Sequence, residues 1–294
     1  MKKNFGQKAL PYILISPTFI LLFIFSYFTI GIALISSFQN FRLGFNTSWN
    51  GFTNFITLFK DQVFLASLQN QIIITIAAVF FNVFFPWLAA ELLFFIRHEK
   101  VANVVKTAFV LPMLVPSIVI ILIWRFLYNP SFGFNTILAQ FGLNSLTHDW
   151  LNMANTAIWC VVLVGFPFVS GLYFLIFHSG LNGIGKDVHE AAIIDGAGSF
   201  DIVRKIHIPS IVPYINVVFT LTLIGSLSGF GLIAATTNGG PGYSTMIPAL
   251  YMYKIAFGSG NMGYASSMGV VMFIIIIILT ISTRTLFKQD KEGN

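Results

Sequence analysis

The run "MGVVMFIIIIILT", residues 268–280, carries no charge and lies within an apolar stretch at about 264–287. Roughly 20 apolar residues match the hydrocarbon thickness of a bilayer. Within that layer the backbone must satisfy its own polar groups, and a helix does so locally. Five further stretches of this kind occur, at about 16–38, 71–96, 107–128, 156–177 and 211–236. Asn82, Pro86, Gly225 and Gly229 interrupt the second and fifth, which is tolerated where neighbouring helices or a cavity take up the freed backbone groups. Of 294 residues 56% are hydrophobic and only 9% charged, too few polar groups to cover a soluble domain of this size. The chain therefore reads as an all-α integral membrane protein, with six transmembrane helices in one domain, 1–294. The N-terminal stretch is longer than a signal core and no small-residue cleavage site follows it, so it reads as a retained anchor.

The formal net charge of +6 reports topology. With six spans and the N-terminus inside, Lys2, Lys3, Lys8, Arg97, Lys100, Lys106, Lys186, Arg204, Lys205, Arg284, Lys288 and Lys291 fall on the cytoplasmic side. Arg42, Lys60, Arg125 and Lys254 fall outside. That asymmetry is the positive-inside pattern and puts both termini in the cytoplasm. It gives no ground for a nucleic-acid partner. In the first outer loop, about 39–70, Phe52, Phe55, Leu58 and Phe59 recur at helical spacing and predict a short interfacial helix. The loop at 129–155 has no Lys or Arg and lies outside. The segment 237–261 begins with a Gly–Pro turn cluster and is too irregular for a seventh span.

One cytoplasmic passage departs from the apolar plan. "EAAIIDGAGSFDIVRKIHIP", residues 190–209, concentrates Glu190, Asp195, Asp201, Arg204 and Lys205 between spans four and five. It predicts two short helices about a glycine bend. Asp187 favours the N-terminus of the first, Asp195–Gly198 breaks it, and Ser199 caps the second. Pro209 and Pro213 then frame the start of the fifth span. Ala191, Ala192, Ile193 and Ile194 make this loop too apolar for free solvation, so it is expected to dock on another protein.

Familiar chemistries find little support. "GLNGIGKD", 180–187, approaches a phosphate-binding loop, but Asp187 stands where a metal-holding hydroxyl belongs and a membrane helix precedes it instead of a strand. The five histidines, 98, 148, 178, 189 and 207, lack metal-ligand spacing, and no nucleophile elbow occurs. Cys160 is the single cysteine, so no intrachain disulfide forms and packing is its expected role. Glu91, near the cytoplasmic end of span two, is read either as a contact that moves during gating or as a residue paired across the bundle or snorkelling to the interface. Arg125 ends span three as an anchor or a substrate contact. Small residues in span five, Gly225, Ser226, Ser228, Gly229 and Gly231, allow close helix packing or leave room for a polar solute.

Residues 190–209 resemble the EAA loop of membrane subunits of bacterial ABC importers, with Glu190, Ala191, Ala192, Gly196, Ile206 and Pro209 in register and Ile208 in the leucine slot. "TTNGGPGYSTMIPALYMYKIAF" resembles the segment after the fifth conserved span of carbohydrate-type permeases, with Asn238, Gly239, Gly240 and Pro241 in place. "VLPMLVPSIVIILIWRFLYNPSFGFNTIL" and "LPYILISPTFILLFIF" are similar to the same subfamily, and the likeness covers nearly the whole chain. It is nearest the maltose- and glycerol-phosphate-type first permease of a heterodimeric pair, because the C-terminus "LFKQDKEGN" lacks the ending typical of the second. Gly185 and His189 depart from the pattern, where proline and tyrosine are common. In maltose-type permeases an aromatic and amides hold the sugar at positions that align with Gly225, Ser226 and Gly229 here, and Phe230 keeps a neighbouring aromatic.

The resemblance implies a type I importer permease whose segment 186–209, Asp195 included, is a coupling helix seated on an ATPase. It implies a second permease subunit, two ATPase subunits and an extracytoplasmic solute-binding protein as partners, and a multi-pass location in the bacterial cell membrane, among lipid. No cofactor is expected on this chain. ATP and Mg belong to the partner ATPase, and the chain is not itself an enzyme. A sugar or oligosaccharide is the expected cargo. An anionic cargo such as a glycerol-phosphate compound or sugar acid, or an ATPase-independent secondary carrier, is the alternative.

Overall fold

The computed structural model describes residues 5–286, with side chains from 10 to 283. Lys2, Lys3, Phe287, Lys288 and Lys291 lie outside the described residues, and the side chains of Lys8 and Arg284 do too. The helices, in chain order, are α1 (Phe5–Leu22), α2 (Phe28–Ser36), α3 (Thr53–Leu58), α4 (Gln62–Phe94), α5 (Glu99–Val110), α6 (Ser117–Leu127), α7 (Phe134–Gln140) and α8 (Ala157–Leu163). They continue with α9 (Gly171–Asn182), α10 (Lys186–Ile194), α11 (Ser199–Ile202), α12 (Ile208–Ser228), α13 (Gly231–Thr236), α14 (Pro248–Tyr253) and α15 (Met262–Leu286). Single π turns, Phe23–Tyr27 and Val203–His207, join α1 to α2 and α11 to α12 without a break.

Among the described residues, four continuous helices are long and apolar enough to cross a bilayer: Leu10–Ser36, Gln62–Phe94, Ser199–Ser228 and Met262–Thr283. They take the places expected for spans one, two, five and six. The third expected span is instead a pair, Glu99–Leu114 and Ser117–Leu127, bent by 90°. Pro116 causes the bend: it lacks an N–H and drives Val115 into an extended conformation (φ −79°, ψ 127°). The fourth expected span, 156–177, is α8 and α9 separated by an irregular stretch at 164–170. Gly165 (φ +96°) and Phe168 (φ +62°) leave the right-handed region there, and Pro167 again removes a donor. Phe168 is held in that conformation by stacking on Phe81, with ring centres 4.2 Å apart. Irregular backbone at membrane depth is tolerated where protein or a wet cavity covers it.

The helix of the fifth expected span starts earlier than the span itself, at Ser199, and ends at Ser228, where Gly229 turns extended (φ −87°, ψ 142°). Pro209 has no N–H to offer the carbonyl one turn back, and the wider π turn just before it absorbs the mismatch. The Ser199 cap is not made: Gly198 (φ −75°, ψ 167°) occupies the cap position without a side-chain hydrogen bond.

The chain divides into two compact units, 1–62 with 251–274, and 63–250 with 275–294. In the first, a two-stranded ribbon pairs Gln39–Asn40 with Ser48–Trp49. Asn54 on α3 donates to the carbonyls of Ser37 and Gln39 at 2.9 and 3.0 Å. Helix α3 is a short helix where the spacing of Phe52, Phe55, Leu58 and Phe59 predicted one. Tyr251 and Tyr264 both donate to Asp61 at 2.7 Å. Gly263 passes so close to Gln39 that a Cβ would lie 2.1 Å from its carbonyl oxygen.

The core of the second unit is the contact of α4, α9 and α12. Ala89, Ala90 and Leu93 meet Phe174, Phe177 and Leu181, and Ile211 and Val218 close the third side. In lipid this contact is stabilised by close fit and interhelical hydrogen bonds, because leaving lipid gains no hydrophobic free energy. Gly180 sets the fit: a Cβ there would lie 2.7 Å from the Tyr214 ring. Gln71 on α4 adds a hydrogen bond to the Ser226 carbonyl on α12 at 3.0 Å. Cys160 is buried, as expected of a packing residue. We expect Gly180→Val to destabilise the purified protein by about 1–3 kcal/mol through overpacking, read as a lower melting temperature in detergent. Gly225→Ala should leave it unchanged, because nothing lies within 4 Å of the added methyl.

Candidate coupling and translocation sites

Helix α10 starts after Gly185 (φ −58°, ψ 139°), with Asp187 in its first turn, where a carboxylate suits the helix dipole. Its end has a specific geometry. Gly196 takes φ +81°, its N–H donates to the Ile193 carbonyl at 3.0 Å, and the Ala197 N–H donates to the Ala192 carbonyl at 2.9 Å. These two bonds form a Schellman ending, which needs a left-handed residue at the glycine position. The Glu190-Ala191-Ala192 triplet thus stands three residues ahead of Gly196 because Ala192 supplies the carbonyl that the ending closes on. Glu190, Ala191 and Asp195 are exposed and Ala192 is half-buried. Beyond the bend, Ile206 and Pro209 belong to the continuous helix 199–228, where Asp201 pairs with Lys205 at 2.7 Å.

The outer surface of this hairpin is apolar. Ile194 is 84% exposed, Phe200 76% and Ile193 63%. Its inner surface is not. His189 Nε2 lies 2.7 Å from His207 Nε2, and His207 Nδ1 lies 2.5 Å from Glu91 Oε1. His207 is fully buried and Glu91 nearly so. Phe94 stacks on His189 with ring centres 5.0 Å apart and meets His207 edge-on at 4.7 Å. Of the two readings of Glu91, pairing across the bundle is the one the geometry carries. The sequence reading missed the two histidines as its partners, since 116 residues separate Glu91 from His207. The signal available was the carboxylate itself, which near an apolar helix end needs a partner. Among the described residues no group of three side chains converges as a metal site; these three lie in series.

Elsewhere in the chain, Asn238 (φ +51°) and Gly239 (φ +89°) form a left-handed turn leading to Gly240 and Pro241. A Cβ on Gly239 would lie 2.5 Å from Met246 Cε. Thr245 donates to the Gly240 carbonyl at 2.8 Å, and Asn70 on α4 donates to the carbonyls of Tyr243 and Met246, both at 2.9 Å. This turn is locked onto α4. Of the span-five residues, Gly225 and Gly229 lie on the exposed edge of α12, and Phe230 is half-buried. Ser226 turns toward α4, its hydroxyl 3.2 Å from Thr75 Oγ1. Arg125 is exposed in the last turn of α6.

Residues 82–290 match the family described as binding-protein-dependent transport system inner membrane component. A probable ABC transporter permease protein, YurN, of Bacillus subtilis (strain 168) is 30% identical over 97% of this chain and 98% of its own length. The sn-glycerol-3-phosphate transport system permease protein UgpA of Escherichia coli O6:K15:H31 is 30% identical over 94% of this chain and 93% of its own. The diacetylchitobiose uptake system permease protein NgcF of Streptomyces coelicolor is 30% identical over 80% of this chain and 70% of its own. In fold, the chain is similar to a subunit of a bacterial alginate ABC transporter crystallised with an alginate pentasaccharide-bound periplasmic protein. The TM-score is 0.86 at 20% identity, covering 99% of this chain and 100% of that one. The apolar helices and these matches together place the chain in the binding-protein-dependent transport family, as a membrane permease subunit of an ABC importer whose ATPase is a separate subunit.

Proposed function

We propose that this permease passes a saccharide from an extracytoplasmic binding protein to the cytoplasm, driven by ATP and Mg acting in two partner ATPase subunits. A second permease chain completes the pathway, and both termini lie in the cytoplasm of a bacterial cell. The observation that carries the coupling step is the hairpin 186–209. It presents Ile193, Ile194 and Phe200 to solvent, and its second half is continuous with a helix of the bundle, Ser199–Ser228. Docking of that apolar face on an ATPase subunit explains its exposure. Continuity with a long helix carries a rigid-body displacement into the membrane. Coupling then follows from contacts that differ between the two states of the ATPase.

A saccharide is supported by the diacetylchitobiose and alginate systems among the similar proteins. The exposed edge formed by Gly225, Ser228 and Gly229 ends α12 with open backbone and no charge, which suits a neutral polar solute. The second reading, an anionic cargo, is favoured by the glycerol-phosphate permease. It needs cations along the pathway, and Arg125 is the one we assign near it.

The test is purification of the tagged chain from its native membranes in mild detergent. A second permease and an ATPase should accompany it; recovery of the chain alone would overturn the reading. Gly196→Pro cannot adopt φ +81° and loses the N–H that bonds Ile193. It should reduce uptake at least about tenfold while leaving the chain in the membrane, and normal uptake would remove the coupling role. Gly229→Trp should block transport by filling the open edge, measured with radiolabelled oligosaccharides in whole cells. Unchanged uptake would exclude α12 from the pathway.

A further inference from the structure

We propose that Glu91, His207 and His189 form a positioning joint that holds the coupling helix to the transmembrane bundle only while the three groups share one extra proton. The inference rests on the reading of 186–209 as the coupling segment. The joint starts on α4 at Glu91, passes through His207 in the π turn ahead of α12, and reaches His189 in the middle of α10. It ends where His189 Nδ1 meets the carbonyl of Gly185 at 3.2 Å. Helix α10 is thereby attached to α4 and to the turn that leads into α12.

The proton requirement follows from counting. The three contacts Glu91–His207, His207–His189 and His189–Gly185 each need one hydrogen between the facing atoms. The Gly185 carbonyl only accepts, so His189 Nδ1 carries a hydrogen and its Nε2 is a lone pair. His207 must then donate through Nε2. An ionised Glu91 also only accepts, so His207 must donate through Nδ1 as well. Two neutral imidazoles hold two hydrogens and the chain needs three. The third resides on His207, as imidazolium beside a carboxylate, or on Glu91, as an acid beside neutral imidazole. Remove it, and one contact becomes two lone pairs facing each other. Add a further proton, and His189 and His207 face each other with two N–H groups across 2.7 Å. Either change opens the joint.

The surroundings leave few competitors. Arg97, Lys186 and Glu190 line the same cleft as His189. Among the described residues, no side chain but Glu91 and His189 hydrogen-bonds His207. Arg204 and Lys205, beside it in sequence, are exposed, and Lys205 is paired with Asp201. The second oxygen of Glu91 is buried without a hydrogen-bond partner. His207 is therefore the group that compensates Glu91.

The experiment uses the assembled importer, with both permeases and the ATPase subunits, in lipid nanodiscs over a series of pH values. Amide hydrogen exchange of residues 186–194, corrected for intrinsic rates, reports closure of the joint; ATP hydrolysis stimulated by the binding protein reports coupling. In the wild type, protection of 186–194 and stimulation should both pass through a maximum and fall on either side. Glu91→Gln supplies an N–H to His207 without titrating, so it should keep the acid limb and lose the alkaline one. His189→Phe keeps the stack on Phe94 but removes both nitrogens. It should abolish the pH dependence of exchange and lower stimulation about tenfold. A flat wild-type exchange profile, or the same profile in Glu91→Gln, would overturn the joint. Full stimulation in Gly196→Pro would instead overturn the coupling reading, and the exchange profile, which needs no coupling, would still decide the joint.

Discussion

Absence of a side chain at Gly180 allows the ring of Tyr214 to lie directly against α9, and much of the second unit follows from that approach. Phe174, Phe177 and Leu181 share one buried cluster with Ala89, Ala90 and Leu93 of α4 and with Ile211 and Val218 of α12. Helices in lipid gain little from mutual burial of apolar surface, so such associations depend on how nearly their backbones approach. The consequence extends beyond the membrane. Helix α10 is connected to α9 by a few residues around Gly183 and Gly185, and through the bend at Gly196 to the helix that becomes α12. A helix suspended between two closely packed helices has little freedom to move independently of them.

The two ends of that suspended helix are built differently. At its C-terminus the chain uses backbone geometry alone: a left-handed glycine and two carbonyl-directed bonds, which fix the angle between α10 and the following helix. Along its inner side it uses ionisable chemistry, a carboxylate and two imidazoles in series, with Phe94 covering both rings. The positions at which the hairpin departs from the pattern it resembles, Gly185 and His189, both belong to this second device.

The breaks in the other helices have a common physical character. Pro116, Pro167 and Gly229 each interrupt a segment whose composition alone would run on as a helix. Each leaves backbone groups that lipid cannot satisfy, so the interrupted segment has to face protein or a polar path. The stretch 164–170 and the edge after Ser228 both have that quality.

Composition and periodicity by themselves determined that this chain crosses a membrane, roughly where most of its apolar segments lie, and which polar segment is exceptional. Those are consequences of transfer free energy and of turn chemistry, which act on local sequence. The glycine bend after Ile194 was legible because a Schellman ending is a local structure, closed within the six residues Ala192 to Ala197. The sequence did not reveal that the fourth expected span divides into two short helices, that the helix of the fifth begins at Ser199, or that Gly198 and not Ser199 caps that helix, since these depend on how a π turn and neighbouring rings absorb proline and glycine. Nor did it reveal Glu91, His207 and His189 as one unit. Three residues on separate segments become a hydrogen-bonded series only when α4, α10 and the start of α12 are brought together, and that approach is decided by the packing of whole helices.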